Sequence, residues 1–163
     1  MGKLRILGSG TSTGVPEIGC TCPVCTSTDP RDNRLRASSL LHTDDAVILI
    51  DCGPDFREQM LRASSFEKID GVLVTHEHYD HVGGLDDLRP FGRFADIPIY
   101  SDAYTAAHLR ARMPYCFVDK VYPGVPHQPD GSAAFTGDAR QASHPGLPHW
   151  RPAGIYHGYA HDA

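Results

Sequence analysis

From Val72 to Gly84 the chain reads Val-Leu-Val-Thr-His-Glu-His-Tyr-Asp-His-Val-Gly-Gly. An apolar run of strand type stops at three histidines and two acids, and a glycine pair leads into a segment with helical patterning. No other stretch limits the fold so much, because a buried strand must here deliver four polar donors to one end of a sheet. In extended chain alternate side chains share a face, so His76, His78 and Asp80 are expected to lean one way, with His81 following at the turn. Imidazole nitrogens suit zinc and its transition-metal neighbours, and a carboxylate beside them suits a second, harder ion such as manganese or iron. The bland alternative is a His-rich surface loop; four donors at this spacing behind an apolar strand favour metal.

Composition limits what such a nest can serve. A chain of 163 residues is one domain's worth. Its net charge of −5 lacks the basic footprint of non-specific nucleic-acid binding, although bound divalent ions reverse the local sign of a cleft. No stretch is apolar for long enough to span a bilayer or to act as a secretory leader, so no membrane partner is expected and the cytoplasm is the expected location. Five cysteines, three of them bunched, fit thiolate ligation in a reducing compartment better than a disulfide framework.

Lys3 to Leu7 alternates as an opening strand does, and Gly8-Ser-Gly-Thr-Ser-Thr-Gly-Val-Pro16 follows as a loop whose backbone can come close to a ligand. It is not a phosphate-binding Walker loop, since no Lys-Ser/Thr pair follows at the required spacing. Cys20, Cys22 and Cys25 form a tight knuckle that can turn three sulfurs toward one point, yet structural zinc takes four ligands. Structural zinc is the favoured reading of the knuckle and free thiols the other; Cys52 and Cys116, each alone, read as buried thiols.

Thr26 to Arg36 reads as a polar surface loop in which Arg31, Arg34 and Arg36 either meet solvent or face an anionic substrate. Ser38–Thr43 and Ala46–Asp51 form a hairpin about Asp44-Asp45. Asp51 closes an apolar strand, where a carboxylate needs partners; it either accepts hydrogen bonds from the metal loop or caps the next turn. Pro54–Ser64 is expected to be a helix with Phe56, Met60 and Leu61 on its apolar stripe. A short helix is expected from about Val82, a strand at Ile97–Tyr100, and a helix over Ser101–Met113 capped by Ser101 and carrying His108 as a surface or packing residue. Val118–Tyr122 reads as another strand.

The His-x-His-x-Asp-His signature resembles the metallo-β-lactamase superfamily. The Gly-Ser-Gly-Thr-Ser-x-Gly-Val-Pro opening, the cysteine knuckle and the Gly-Gly-Leu-Asp-Asp-Leu-Arg-Pro-Phe run resemble one of its branches, the cyclic phosphodiesterases of phosphonate breakdown. The resemblance implies an α/β chain forming a four-layer αβ/βα sandwich, with residues 1–131 supplying its N-terminal half to two-thirds. It implies two divalent ions, Zn2+ or Mn2+, one held by His76 and His78 and the other by Asp80 and His81. Asp80 would also orient the attacking water, and a distant histidine would complete a structural Zn2+ site at Cys20, Cys22 and Cys25. The expected substrate is a small or cyclic phosphodiester. A tRNA 3′-processing nuclease, a thioester or lactam hydrolase, and a non-catalytic metal-binding remnant stay open, as does a homodimer.

The resemblance runs to about Gln128 and stops. Residues 132–163 show no apolar period of either kind, only scattered His, Pro, Gly, Ala and Arg, including His144, His149, His157 and His161. Shifting the codons behind Gly137–Ala163 by one nucleotide permits words with strand character that resemble the family's later His-Gly and Thr-Asp motifs. The expectation is therefore an out-of-frame tail beginning between Ser132 and Gly137, and little or no turnover by a chain lacking those later donors.

Overall fold

The computed structural model describes residues 2–63, 68–94, 96–117 and 155–158. Six strands form one sheet in sequence order: β1 (Lys3–Gly8), β2 (Ser38–His42), β3 (Val47–Ile50), β4 (Gly71–Leu73), β5 (Ile99–Asp102) and β6 (Ile155–Gly158). β1, β2 and β3 pair antiparallel, with the β2–β3 turn closed by Thr43 and Ala46. From β3 onward every pairing is parallel, Leu49 opposite Val72 and Leu73 opposite Tyr100. Parallel neighbours require crossovers, which α1 (Phe56–Arg62), α2 (Tyr79–Val82) with the 3-10 stretch Leu85–Arg93, and α3 (Ala103–Arg112) contribute.

Strand alternation divides the sheet into two unlike faces. Leu40, Leu49 and Val72 are fully buried and share one core with Phe56 of α1, Val82, Leu88 and Phe91, and Ala106 and Leu109 of α3. Leu4, Ile6 and Leu73 point to the other face and stay exposed. The described residues thus make one αβ half of the expected sandwich, a sheet with helices on one side. None of their helices is long and apolar enough to cross a membrane.

Several local expectations need correction. α1 buries Phe56 and Gln59, whereas Leu61 is 64% exposed; Gln59 goes inward because its Nε2 donates to the Arg36 carbonyl at 2.8 Å. The cap of α3 is Asp102, whose side chain accepts from the Thr105 amide at 2.8 Å, because β5 runs on through Ser101. The helix placed near Val82 starts earlier, at Tyr79, and the run containing Pro90 is 3-10. Part of the segment read as patternless pairs as β6 with β5. The Val118–Tyr122 strand, the boundary at residue 131 and the frame of the tail fall outside the described residues.

β1, β3, β4 and β5 run in one direction, so the loops leaving their C-terminal ends share one edge of the sheet. The Gly8–Pro16 loop, Asp51 and the histidine-rich segment all leave the sheet at that edge.

Candidate metal centre

β4 ends at Leu73, and the Val74 amide still reaches the Tyr100 carbonyl at 2.8 Å before the chain leaves the sheet. His76 and His78 lie in the irregular segment that follows, while Asp80 and His81 belong to the single turn of α2. The donors therefore come from a loop and a helical turn, and not from alternate positions of an extended strand as expected. The turn brings them together all the same: the His76 ring centroid is 4.0 Å from that of His81 and 4.6 Å from that of His78. Asp80 Oδ2 stands 3.2 Å from His81 Nε2, and both side chains are one-fifth exposed.

This turn is sewn to the segment after β3. The Cys52 amide donates to the His81 carbonyl and the Gly84 amide to the Cys52 carbonyl, both at 2.8 Å. Side chains are excluded along the seam: a Cβ on Gly53 would sit 2.1 Å from the Asp80 carbonyl oxygen, and one on Gly84 2.0 Å from the Gly53 carbonyl oxygen. On the other flank Arg112 of α3 donates to the Glu77 carbonyl at 3.0 Å.

Asp51 organises the nest from below. Its carboxylate accepts from the Thr75 amide at 2.8 Å, from Thr75 Oγ1 at 2.9 and 3.0 Å, and from His81 Nδ1 at 2.7 Å. Of its two open roles the structure shows acceptance from the histidine-rich loop. Because an ionised carboxylate only accepts, His81 donates from Nδ1 to Asp51, and Nε2 of the same ring faces Asp80. Nε2 and Asp80 Oδ2, 3.2 Å apart, can share either a proton carried by the imidazole or a cation that takes both as ligands. Thr75, not singled out from the sequence, contacts Asp51, His76 and His81; its only local signal is a hydroxyl directly before the first histidine.

The three knuckle cysteines do converge. Among the described residues they are the one group of three or more candidate donors whose ligand atoms all lie within 4.8 Å of one another. No three donors of the nest meet that limit. Amides point at the sulfurs, Cys25 N–H to Cys22 Sγ and Glu17 N–H to Cys25 Sγ, each at 3.4 Å. The Cys25 amide, then the Cys20 and Cys25 thiols, hold Cys22 down at about 7. At Cys25 the Glu17 amide pulls downward, but the Cys20 thiol, burial and Cys22 together leave it raised. Soft sulfurs, two of them with amide donors, suit a thiophilic cation, and the nitrogen and oxygen donors of the nest suit a borderline divalent one.

Other candidates have structural partners. Arg31 pairs with Asp29 on the surface, and Arg36 pairs with Asp55 at 2.6 Å while its Nε donates to the Ser12 carbonyl at 2.8 Å. Arg36 thereby ties the glycine loop to the start of α1. Asp86 is held by Arg89 and Tyr115, and exposed His108 lies 4.4 Å from the Tyr104 ring. Cys52 is fully buried, its thiol pushed well up by burial first and then by the charges of Asp87 and Asp51.

A family model described as a beta-lactamase superfamily domain matches residues 47–156, a span holding Asp51 and the whole nest. The chain belongs to the β-lactamase superfamily. Among superfamily structures it resembles a diphosphatase of the PhnP family, at 48% identity with a TM-score of 0.66 over 72% of this chain and 49% of that one. Zn2+-bound PqqB from Methylobacterium extorquens shares the fold at 26% identity and a TM-score of 0.59, over 69% of this chain and 41% of that one. In sequence the chain is 52% identical over 122 residues to an octanoyltransferase of Porphyromonas gingivalis, covering 74% of this chain and 25% of that protein. It spans a quarter of the octanoyltransferase and about half of the diphosphatase.

Proposed function

We propose that the chain carries the metal-binding half of a hydrolase for small or cyclic phosphodiesters. The observation that carries the reading is the Asp51–His81–Asp80 line: a buried carboxylate holds Nδ1 of an imidazole at 2.7 Å, and Nε2 of the same ring stands 3.2 Å from Asp80 Oδ2. His76 and His78 would hold one divalent ion, Asp80 and His81 another, and Cys20, Cys22 and Cys25 a structural Zn2+. Ions in the nest would supply Lewis acidity toward water and toward phosphate oxygens. Asp80, one-fifth exposed, would orient the attacking water by accepting its hydrogen bond. The phosphate-linked substrate is supported by similarity to the diphosphatase over 72% of this chain. A net charge of −5 speaks for a small substrate over a polynucleotide.

The described residues offer two donors per ion, fewer than the set a catalytic ion takes, so the chain should bind such substrates while turning them over slowly. Calorimetry of the full chain with bis-p-nitrophenyl phosphate, with and without Zn2+ or Mn2+, tests both parts. Metal-dependent binding with hydrolysis near background is expected. Lack of binding in the presence of metal contradicts the substrate class, and robust turnover contradicts the slow-turnover part.

A further inference from the structure

We propose that Thr75 is a positioning residue that sets the tautomer of His76, so that Asp51 governs two imidazoles at once, His81 directly and His76 through the Thr75 hydroxyl. The inference rests on reading His76 and His81 as metal donors.

Counting protons makes the case. Thr75 Oγ1 lies 3.0 and 2.9 Å from the two Asp51 oxygens and 3.0 Å from His76 Nδ1. A hydroxyl has one proton to give, and a buried carboxylate, 6% exposed, is the acceptor that gains most from it. With that proton committed to Asp51, the hydroxyl meets His76 only as an acceptor, so His76 Nδ1 must carry a hydrogen. In the neutral ring the His76 Nε2 lone pair is then left open, as it is in a neutral His81, whose Nδ1 donates to Asp51 at 2.7 Å. Two rings with centroids 4.0 Å apart thus present the same nitrogen. The Thr75 amide donates to Asp51 Oδ1 at 2.8 Å and holds the hydroxyl in register. Hydrogen-bonded partners of this kind fix ring orientation and raise ligand basicity, and their loss typically weakens metal affinity about 10- to 100-fold.

The test is long-range proton–nitrogen NMR of the full chain, stripped of metal, at a pH where the imidazoles are neutral. The wild type is expected to show His76 and His81 both protonated at Nδ1. Thr75→Val should move His76 toward the Nε2–H form, leave His81 in place, and weaken zinc binding at the nest about 10- to 100-fold; Thr75→Ser should restore both. A wild-type His76 protonated at Nε2 overturns the proposal without any variant. So does a folded Thr75→Val chain with an unchanged His76 tautomer or unchanged zinc affinity. A wild type with the predicted tautomers but no affinity of the nest for zinc supports the relay and refutes the metal reading on which its use depends.

Discussion

His81 Nδ1 stands 2.7 Å from Asp51 Oδ2, and Asp51 reaches it from a left-handed backbone, φ 57°, at the end of β3. Left-handed backbone is costly for residues with a Cβ, least so for Asp and Asn. The contacts of this carboxylate with Thr75 and His81 hold the chain in that conformation, tying the strand end to the histidine-rich loop.

Replacing Asp51 separates the carboxylate from the backbone. Asp51→Ala and Asp51→Gly both lose the acceptor, but only Ala keeps the backbone penalty, so Gly should be the more stable by about 1 kcal/mol in urea denaturation. Both variants should fall below the wild type, because the Thr75 and His81 donors lose a charged acceptor. Equal stability of the two variants would show that the left-handed backbone is not strained.

Gly53→Ala and Gly84→Ala test the seam beneath the donors. Each added Cβ meets a carbonyl oxygen near 2 Å, so backbone must shift. A loss of about 1–3 kcal/mol is expected in urea denaturation, as for other overpacked sites, together with weaker zinc binding at the nest. Wild-type stability in both would mean that the two segments are not in contact.

Cys22 should be the first thiol to react. With its thiol held at about 7 by the Cys25 amide, the thiolate predominates above that pH and is lost below it. Alkylation of the metal-free chain by iodoacetamide, followed by mass spectrometry, should show a Cys22 midpoint near 7, and Zn2+ should protect it. Fully buried Cys52 should stay unlabelled until the chain unfolds. A Cys22 midpoint at the ordinary value near 8.5 would contradict the amide arrangement at the knuckle.

The two faces of α1 give a stability contrast. Phe56→Ala, at 1% exposure and 5.6 Å from the Phe91 ring, should cost about 3–5 kcal/mol. Leu61→Ala, at 64% exposure, should stay within about 0.5 kcal/mol. Comparable losses would place Leu61 in the core, as the sequence pattern suggested.

That contrast marks where sequence reasoning works and where it stops. The β2–β3 hairpin, the apolar strand before the histidines and the existence of α1 and α3 are local signals, written in alternation and helical spacing. The burial of Gln59 is decided by the carbonyl of Arg36, 23 positions away, which no spacing reveals. Ser101 and Asp102 are both capping residues, and the choice depends on how far β5 pairs with its neighbours. At the nest the donors are legible from residue type, whereas the bond from Asp51 to Thr75 spans 24 positions and exists only once β3 and β4 pair in register.

The central claim is that the nest grips a divalent cation. Zinc titration of the full chain carrying Cys20→Ser, Cys22→Ser and Cys25→Ser isolates it from the knuckle. The account predicts that zinc still binds to this chain and that binding is lost when His76→Ala and His81→Ala are added. Binding that survives the two histidine replacements, or fails to occur before them, would contradict it.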